Sequence, residues 1–265
     1  PFTVIGNRIL AGQPSWASIP YSQDNPKREQ LISGTLYDGK ITMDTEVVLS
    51  PENTLNTAYN AEINVRDARL EQWAQEHQYR EKLRGPINGK IHLRGKGPSP
   101  LGITGEGYLQ VTHAQLYKLP VLLQVFSEAN IRGSGDQACR YGYADIQIHQ
   151  GTFDFPRIEL VGDAISLVGR GYVGFSGEQE RRLAFDFYTD ARNRIPLIEP
   201  IVQRLGSGWM RVRVDGTVDN FKAVKEPRIP LLDEAFGGFI RELESGRING
   251  PPPPPSAGRG MLPRR

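Results

Sequence analysis

The sequence predicts a mainly β protein of the α+β class: a curved antiparallel β-sheet with a concave apolar face, with a few amphipathic helices between groups of strands. Three observations predict it. Apolar and polar residues alternate with period two through most of the chain, which gives each strand one apolar and one wet face. The strand segments, about ten in all, follow one another at meander spacing, with few of the strand-helix-strand units that a parallel sheet needs. Glycines recur on the apolar side of two neighbouring strands, where they mark a bend or a close backbone approach.

The elements follow in chain order. Residues 1–66 are β-patterned, and LISGTLYDGKITMDTEVVL reads as a hairpin turning at Asp38-Gly39, a pair that tolerates positive φ. Residues 58–66 and 86–94 are further strands. Between them, 67–85 reads as a helix that Asp67 caps and Gly85 ends, with Leu70, Trp73, Ala74 and Leu83 as a partial apolar stripe. The stretch GITGEGYLQVTHAQLYKLP is a strand that places Ile103, Gly105, Gly107, Leu109 and Val111 on one face. Thr104, Glu106, Tyr108, Gln110 and Thr112 take the other. The preceding strand repeats the arrangement with Ile87, Gly89, Ile91, Leu93 and Gly95.

Three Pro-containing motifs mark helix starts, because proline is tolerated in a first turn: Leu119-Pro120, Ile195-Pro196 and Ile229-Pro230. The first leads into apolar positions at helical spacing, Leu119, Leu122, Leu123 and Phe126. Strands then carry Ile146 and Ile148, Phe153 and Phe155 after a turn at Gly151, Ile158 and Leu160, and Ile165 and Leu167. LAFDFYTD aligns Leu183, Phe185 and Phe187, and GWMRVRVDG aligns Met210, Val212 and Val214. Beyond Arg247 the chain, INGPPPPPSAGRGMLPRR, reads as an extended Pro-rich tail, 248–265.

Several function classes find no support. Lys plus Arg number 32 against 30 Asp plus Glu, so charge gives no argument for a nucleic-acid partner. The spacing Gly102-x-x-Gly105-x-Gly107 runs on into strand, where a dinucleotide fingerprint would open a helix, and there is no Gly-Lys-Ser or Gly-Lys-Thr. His77, His92, His113 and His149 lack metal-ligand spacing, and His92 and His149 read as solvent-face residues. Cys139 stands alone, and no serine elbow is present. Asp154 with Glu159, or Asp186 with Asp190, could form a carboxylate pair, but the latter two sit roughly 13 Å apart on one strand face. No catalytic residue, metal or cofactor is therefore expected. No stretch reaches the length of a membrane span, and PFTVIGNRIL carries neither an initiator Met nor a signal pattern, so a longer or processed chain is expected.

Taken in order, four stretches carry a family resemblance: LRGPINGKIHLRG, LGITGEGYLQVTHAQLYKLPVLLQVF, YADIQIHQGTFDFPRIELVGDAISLVGRGYVGF and RIPLIEPIVQRLGSGWMRVRVDGTVDNFKAVKEPRIP. They resemble the C-terminal region of AsmA-like proteins, large envelope proteins of Gram-negative-type bacteria. The resemblance implies that the curved antiparallel β-sheet forms a long, half-open groove of taco-like shape, apolar inside, in a non-enzymatic protein linked to phospholipid transport between inner and outer membranes and to outer-membrane biogenesis. It implies a periplasmic location, with an inner-membrane anchor upstream of this chain. On it, 67–247 is the family-like domain and 1–66 a β-rich segment continuing an upstream groove.

The partner expected is a phospholipid or other acyl lipid, with membrane contact through the missing anchor or terminal helices, an envelope protein as a further partner, and no nucleic acid. The groove would be lined by Ile103, Gly105, Gly107, Leu109, Val111, Phe153, Phe155, Ile165, Leu167, Phe185, Phe187, Val212 and Val214. A helix bearing Leu119, Pro120, Leu122, Leu123 and Phe126 would gate it. Carrying a 16-carbon acyl chain through water costs roughly 12 kcal/mol at about 0.8 kcal/mol per CH₂, a cost that a groove removes without any chemical step. Two other readings stand beside this one: an assembly factor whose sheet is closed by its own helices and which docks a partner protein, and a carbohydrate-active enzyme on a β scaffold.

Overall fold

In the computed structural model, the period-two segments pair in chain order as an up-and-down meander. The structure describes residues 2–12, 32–77, 83–112, 122, 125, 141–161, 166–190 and 209–227. Among these residues thirteen strands form one antiparallel, curved and unclosed sheet. The strands are β1 (Phe2–Ile5), β2 (Arg8–Ala11), β3 (Ile32–Leu36), β4 (Gly39–Val48), β5 (Ala58–Arg69), β6 (Pro86–Lys96) and β7 (Thr104–Thr112). They continue with β8 (Tyr141–His149), β9 (Thr152–Val161), β10 (Ser166–Gly174), β11 (Arg182–Asp190), β12 (Trp209–Thr217) and β13 (Asn220–Pro227). Twelve follow one path, and β3 pairs with β4 beside it. Strand β5 runs through residues 66 and 67 and pairs with β4 and β6, so the sheet is continuous there.

Strands β2 and β3 are two halves of one line. Ala11 pairs with Thr45 and Ile32 with Met43, so along β4 only Asp44 lies between the two pairings.

Two expectations change. The hairpin turns one residue earlier than Asp38-Gly39: Tyr37 and Asp38 both take positive φ, 48° and 62°, as a two-residue turn requires. Gly39 is needed for another reason, since a Cβ there would sit 2.3 Å from the Ala68 nitrogen. Asp67 is not a helix cap. It lies in β5 at a bulge, φ 54°, and its N–H donates to Asn88 Oδ1 at 3.0 Å. The helix α1 runs only over Leu70–Glu76, with no side-chain cap at Arg69, because the strand continues to that residue. Its inner face is as expected: Leu70 and Ala74 are buried, Leu83 joins them, and Trp73 packs against the same cluster.

A second bulge decides which side chains share a face. Gly169 pairs with Ile158 but Gly171 with Phe155, and Ala144 pairs with Ile158 but Gln147 with Asp154. Pro156 and Arg157 form the extra step, where a residue lacking an N–H is tolerated. Parity shifts by one residue, which brings Phe153, Phe155, Ile158 and Leu160 of β9 onto one face.

The core lies on the apolar face of β7 to β12. Val111, Leu160, Leu167, Leu183, Phe187, Val212 and Val214 are buried there with Leu70, Ala74 and Leu83, and with Leu122 and Val125, which are helical. No helix among the described residues is long and apolar enough to cross a membrane.

Candidate functional site

The register builds a continuous apolar face, row by row, out of residues far apart in sequence. One row runs Met43, Ile63, Ile91, Gly107, Ile146, and beyond the β9 bulge Phe155, Gly171, Phe185, Val214 and Ala223. The next runs Ile41, Val65, Gly89, Leu109, Ala144, Ile158, Gly169, Phe187 and Val212. A third contains Ala61, Leu93, Gly105, Ile148, Phe153, Val173 and Leu183.

The glycines shape this face. A Cβ on Gly107 would lie 2.2 Å from the Lys90 carbonyl oxygen and 2.8 Å from Ile91 Cα, and one on Gly105 2.7 Å from the His92 oxygen. The neighbouring backbone therefore occupies the space in front of the glycine, and the sheet folds toward its apolar side. Elsewhere rings cover the glycines. A Cβ on Gly171 would meet Phe185 Cδ1 at 2.3 Å, one on Gly169 Phe187 Cδ1 at 2.6 Å, and one on Gly95 the Tyr59 ring. Each pair is a direct cross-strand neighbour, so the ring fills the volume that glycine leaves open. Phe155 and Phe185 meet at 5.9 Å between centroids, Phe185 and Phe187 at 5.7 Å, and Phe153 and Phe175 at 4.6 Å.

Burial divides the predicted lining residues in two. Val111, Leu167, Phe187, Val212 and Val214 are packed core, filled by Leu122, Val125 and α1 rather than open. Ile103, Gly105, Gly107, Phe153, Phe155 and Phe185 are half-buried, and Leu109 is 38% exposed. Of the proposed gate, Leu122 belongs to the core, while Leu119, Pro120, Leu123 and Phe126, like the groove residue Ile165, lie outside the described residues.

The residues that sequence reasoning missed sit mostly on the N-terminal half. Ile9, Ile41, Met43, Val47, Tyr59 and Ile63 are half-buried on the same face, alongside Ile91 and Leu93, which the alternation had already placed on the apolar side of their strand, with Phe2 69% and Val4 57% exposed at its edge. Their alternation was the available signal; only the pairing shows that they continue the same rows.

The opposite face carries charges, several of them paired, and over β8 to β11 it also buries Val168, Tyr141, Tyr143 and Tyr188. Arg211 donates to both oxygens of Asp186, at 2.9 and 3.0 Å, and Lys90 reaches Glu62 at 2.8 Å. Burial alone would raise the Glu62 carboxyl, but hydrogen bonds from Lys90 and Asn64 and the nearby positive charge hold it below the usual value. Arg157 donates to Glu159 at 2.8 Å and lies over the Tyr143 ring. The Tyr143 hydroxyl donates to Asp145 Oδ1 at 2.5 Å, while Oδ2 of that buried carboxyl has no hydrogen-bond partner. Burial, reinforced by Glu159, pushes the Tyr141 phenol up to about 12.

His92 and His149 sit on this polar face, bonded to Asn60 and Asp154. Of the carboxylates considered for acid-base work, Asp154 is engaged with His149 and Thr152, Glu159 with Arg157 and Asp186 with Arg211, while the side chain of Asp190 is not among those described. Among the described residues, no group of three or more His, Cys, Asp or Glu is placed to hold a metal ion.

Chemically, the apolar face can do one thing well: take apolar matter out of water over the half that no described helix covers, about 24 Å across from β1 to β7 at about 4.8 Å per strand. Comparison of the chain with protein-family models, with curated proteins and with solved structures finds no match.

Proposed function

We propose that this chain is a non-enzymatic lipid-handling module of a cell envelope, holding an acyl chain against the uncovered apolar face of β1 to β7 and supporting phospholipid movement between membranes. The observation that carries the reading is the continuity of the apolar rows beyond the packed core. Ile63, Ile91 and Leu109 extend the rows of Val214 and Val212 but are left half-buried or exposed. A sheet that needed only a core would end its apolar rows where its helical cover ends. Packing of Leu122 and Val125 against β7 to β12 closes one side, and the acyl chain occupies the other.

The role needs no reacting group, since shielding each CH₂ contributes about 0.8 kcal/mol. The envelope setting and the movement of lipid between membranes rest on the AsmA-like resemblance. The enclosed half of the sheet and its uncharged outer edge favour a second reading alongside the first, assembly with another polypeptide.

The test is organic extraction of the purified chain followed by lipid mass spectrometry, on the wild type and on Leu109→Asp and Ile63→Asp. We expect acyl lipid at near-stoichiometric amounts in the wild type and its loss in both variants, with melting curves retained. Absence of lipid from the wild type, or equal lipid in the variants, would overturn the reading.

A further inference from the structure

The two edges of the sheet are built differently. Strand β13 closes one side with the sequence NFKAVKEP, in which Lys222, Lys225, Glu226 and Pro227 discourage any further strand. The other side presents β1, FTVI, and the outer flank of β3, ISGTL, nine positions without a charge or a proline. Phe2 is 69% exposed, Val4 57%, and Ser33, Gly34 and Thr35 are exposed as well. Among the described residues β3 pairs with β4 alone, so one flank of its backbone offers N–H and C=O groups at strand spacing.

We propose that this edge is a strand-addition site, and that its occupant is an extended polypeptide segment running antiparallel to β3 and in line with β1. This is independent of the lipid reading. The backbone of another chain is the partner that supplies donors and acceptors alternately along such an edge. A two-fold pairing of β1 with the β1 of a second copy would engage its four residues and leave the five of β3 bare, whereas a segment along β3 covers these and continues the line of β1.

The pattern of the occupant follows from the faces. Ile32, Gly34 and Leu36 pair with Met43, Ile41 and Gly39 and so belong to the apolar face, while Ser33 and Thr35 take the polar one. The occupant therefore carries apolar residues opposite Ile32 and Leu36. Opposite Gly34 it carries an aromatic ring, because Gly95, Gly169 and Gly171 each have a ring over them, whereas in front of Gly34 the nearest atom is Ile41 Cγ2 at 3.6 Å. The recognised motif is apolar-x-aromatic-x-apolar, with small polar residues between.

The experiment is hydrogen exchange, read by mass spectrometry, on the full chain with the synthetic peptide KTVTFTVTK. We expect exchange of the Ser33 and Thr35 amides, which point away from β4, to slow about tenfold or more at saturating peptide, with Asn220–Pro227 unchanged. The same peptide N-methylated at the two Thr that flank Phe, which stand opposite Ser33 and Thr35 and carry the N–H groups facing β3, cannot complete the ladder and gives no slowing. The variant Gly34→Lys, which copies the lysine guard of β13 at a position with room for a side chain, loses the effect while keeping its melting curve. No slowing with KTVTFTVTK, equal slowing with the N-methylated peptide, slowing at β13, or protection that appears without peptide and grows with protein concentration would each overturn the proposal. The last would assign the edge to a second copy.

Discussion

Gly107→Ala isolates the steric basis of the sheet's curvature. Gly107 has no positive φ, so an alanine there is not strained by its backbone conformation; the cost arises only from what its methyl meets. That methyl would lie 2.2 Å from the Lys90 oxygen and 2.8 Å from Ile91 Cα, both backbone atoms of β6 that move only if the strand moves. Forcing extra volume into a packed site costs about 1–3 kcal/mol, and backbone neighbours place this case at the upper end. Against it stands a gain of about 0.4–1 kcal/mol from the reduced freedom of the unfolded chain. The net loss is about 2 kcal/mol, a fall in Tm of roughly 4–8 °C for a chain of this size.

The matched control is Gly34→Ala, also in a strand, where the nearest atom is 3.6 Å away and only the gain remains. Thermal melts followed by circular dichroism, with urea titrations to check that the slope is unchanged, compare the two. If Gly107→Ala melts within a degree of the wild type, β6 does not lie in front of β7, and the account of how glycine bends this sheet is wrong.

Two further predictions separate core from open face and test the buried carboxyl. Leu167→Ala, at 1% exposure, should cost about 2–5 kcal/mol in urea titrations, whereas Leu109→Ala, at 38%, should cost under about 1 kcal/mol and reduce bound lipid instead. Equal costs would refute the division of the face. Burial raises the Asp145 carboxyl above its ordinary 3.8, although the bond from Tyr143 and the charge of Arg157 oppose the rise. A raised folded-state value means that this group favours folding most below about 3.8 and loses that contribution as pH rises through the folded value. In Asp145→Asn that loss disappears, so the Tm of the variant relative to the wild type should climb as pH rises from about 3.5. A difference constant across that range would refute it.

Much of this was legible in the chain. Alternation in LAFDFYTD and GWMRVRVDG placed Phe185, Phe187, Val212 and Val214 on one face, and the alternate glycines at 105 and 107 announced the bend, because side-chain period and missing Cβ atoms are local properties. Less legible was anything that depends on register. In β9 the step at Pro156-Arg157 reverses parity, so simple alternation would divide Phe153 and Phe155 from Ile158 and Leu160, which the pairing unites. Asp67 looked like a cap because Asp before an apolar run is one in most settings; here the bulge of β5 against Asn88 claims it.

The sequence by itself determined the fold class, the antiparallel meander and the apolar composition of one face, since these follow from residue type and spacing along a single strand. Tertiary structure alone decided which part of that face is core and which is open. Val212 and Leu109 are both aliphatic strand residues with the same local pattern, yet they differ by 0% against 38% exposure because helical residues 122 and 125 and α1 belong to the packed core around Val212 and leave Leu109 partly uncovered. Burial depends on what arrives from elsewhere in the chain, and no window of sequence around either residue contains it.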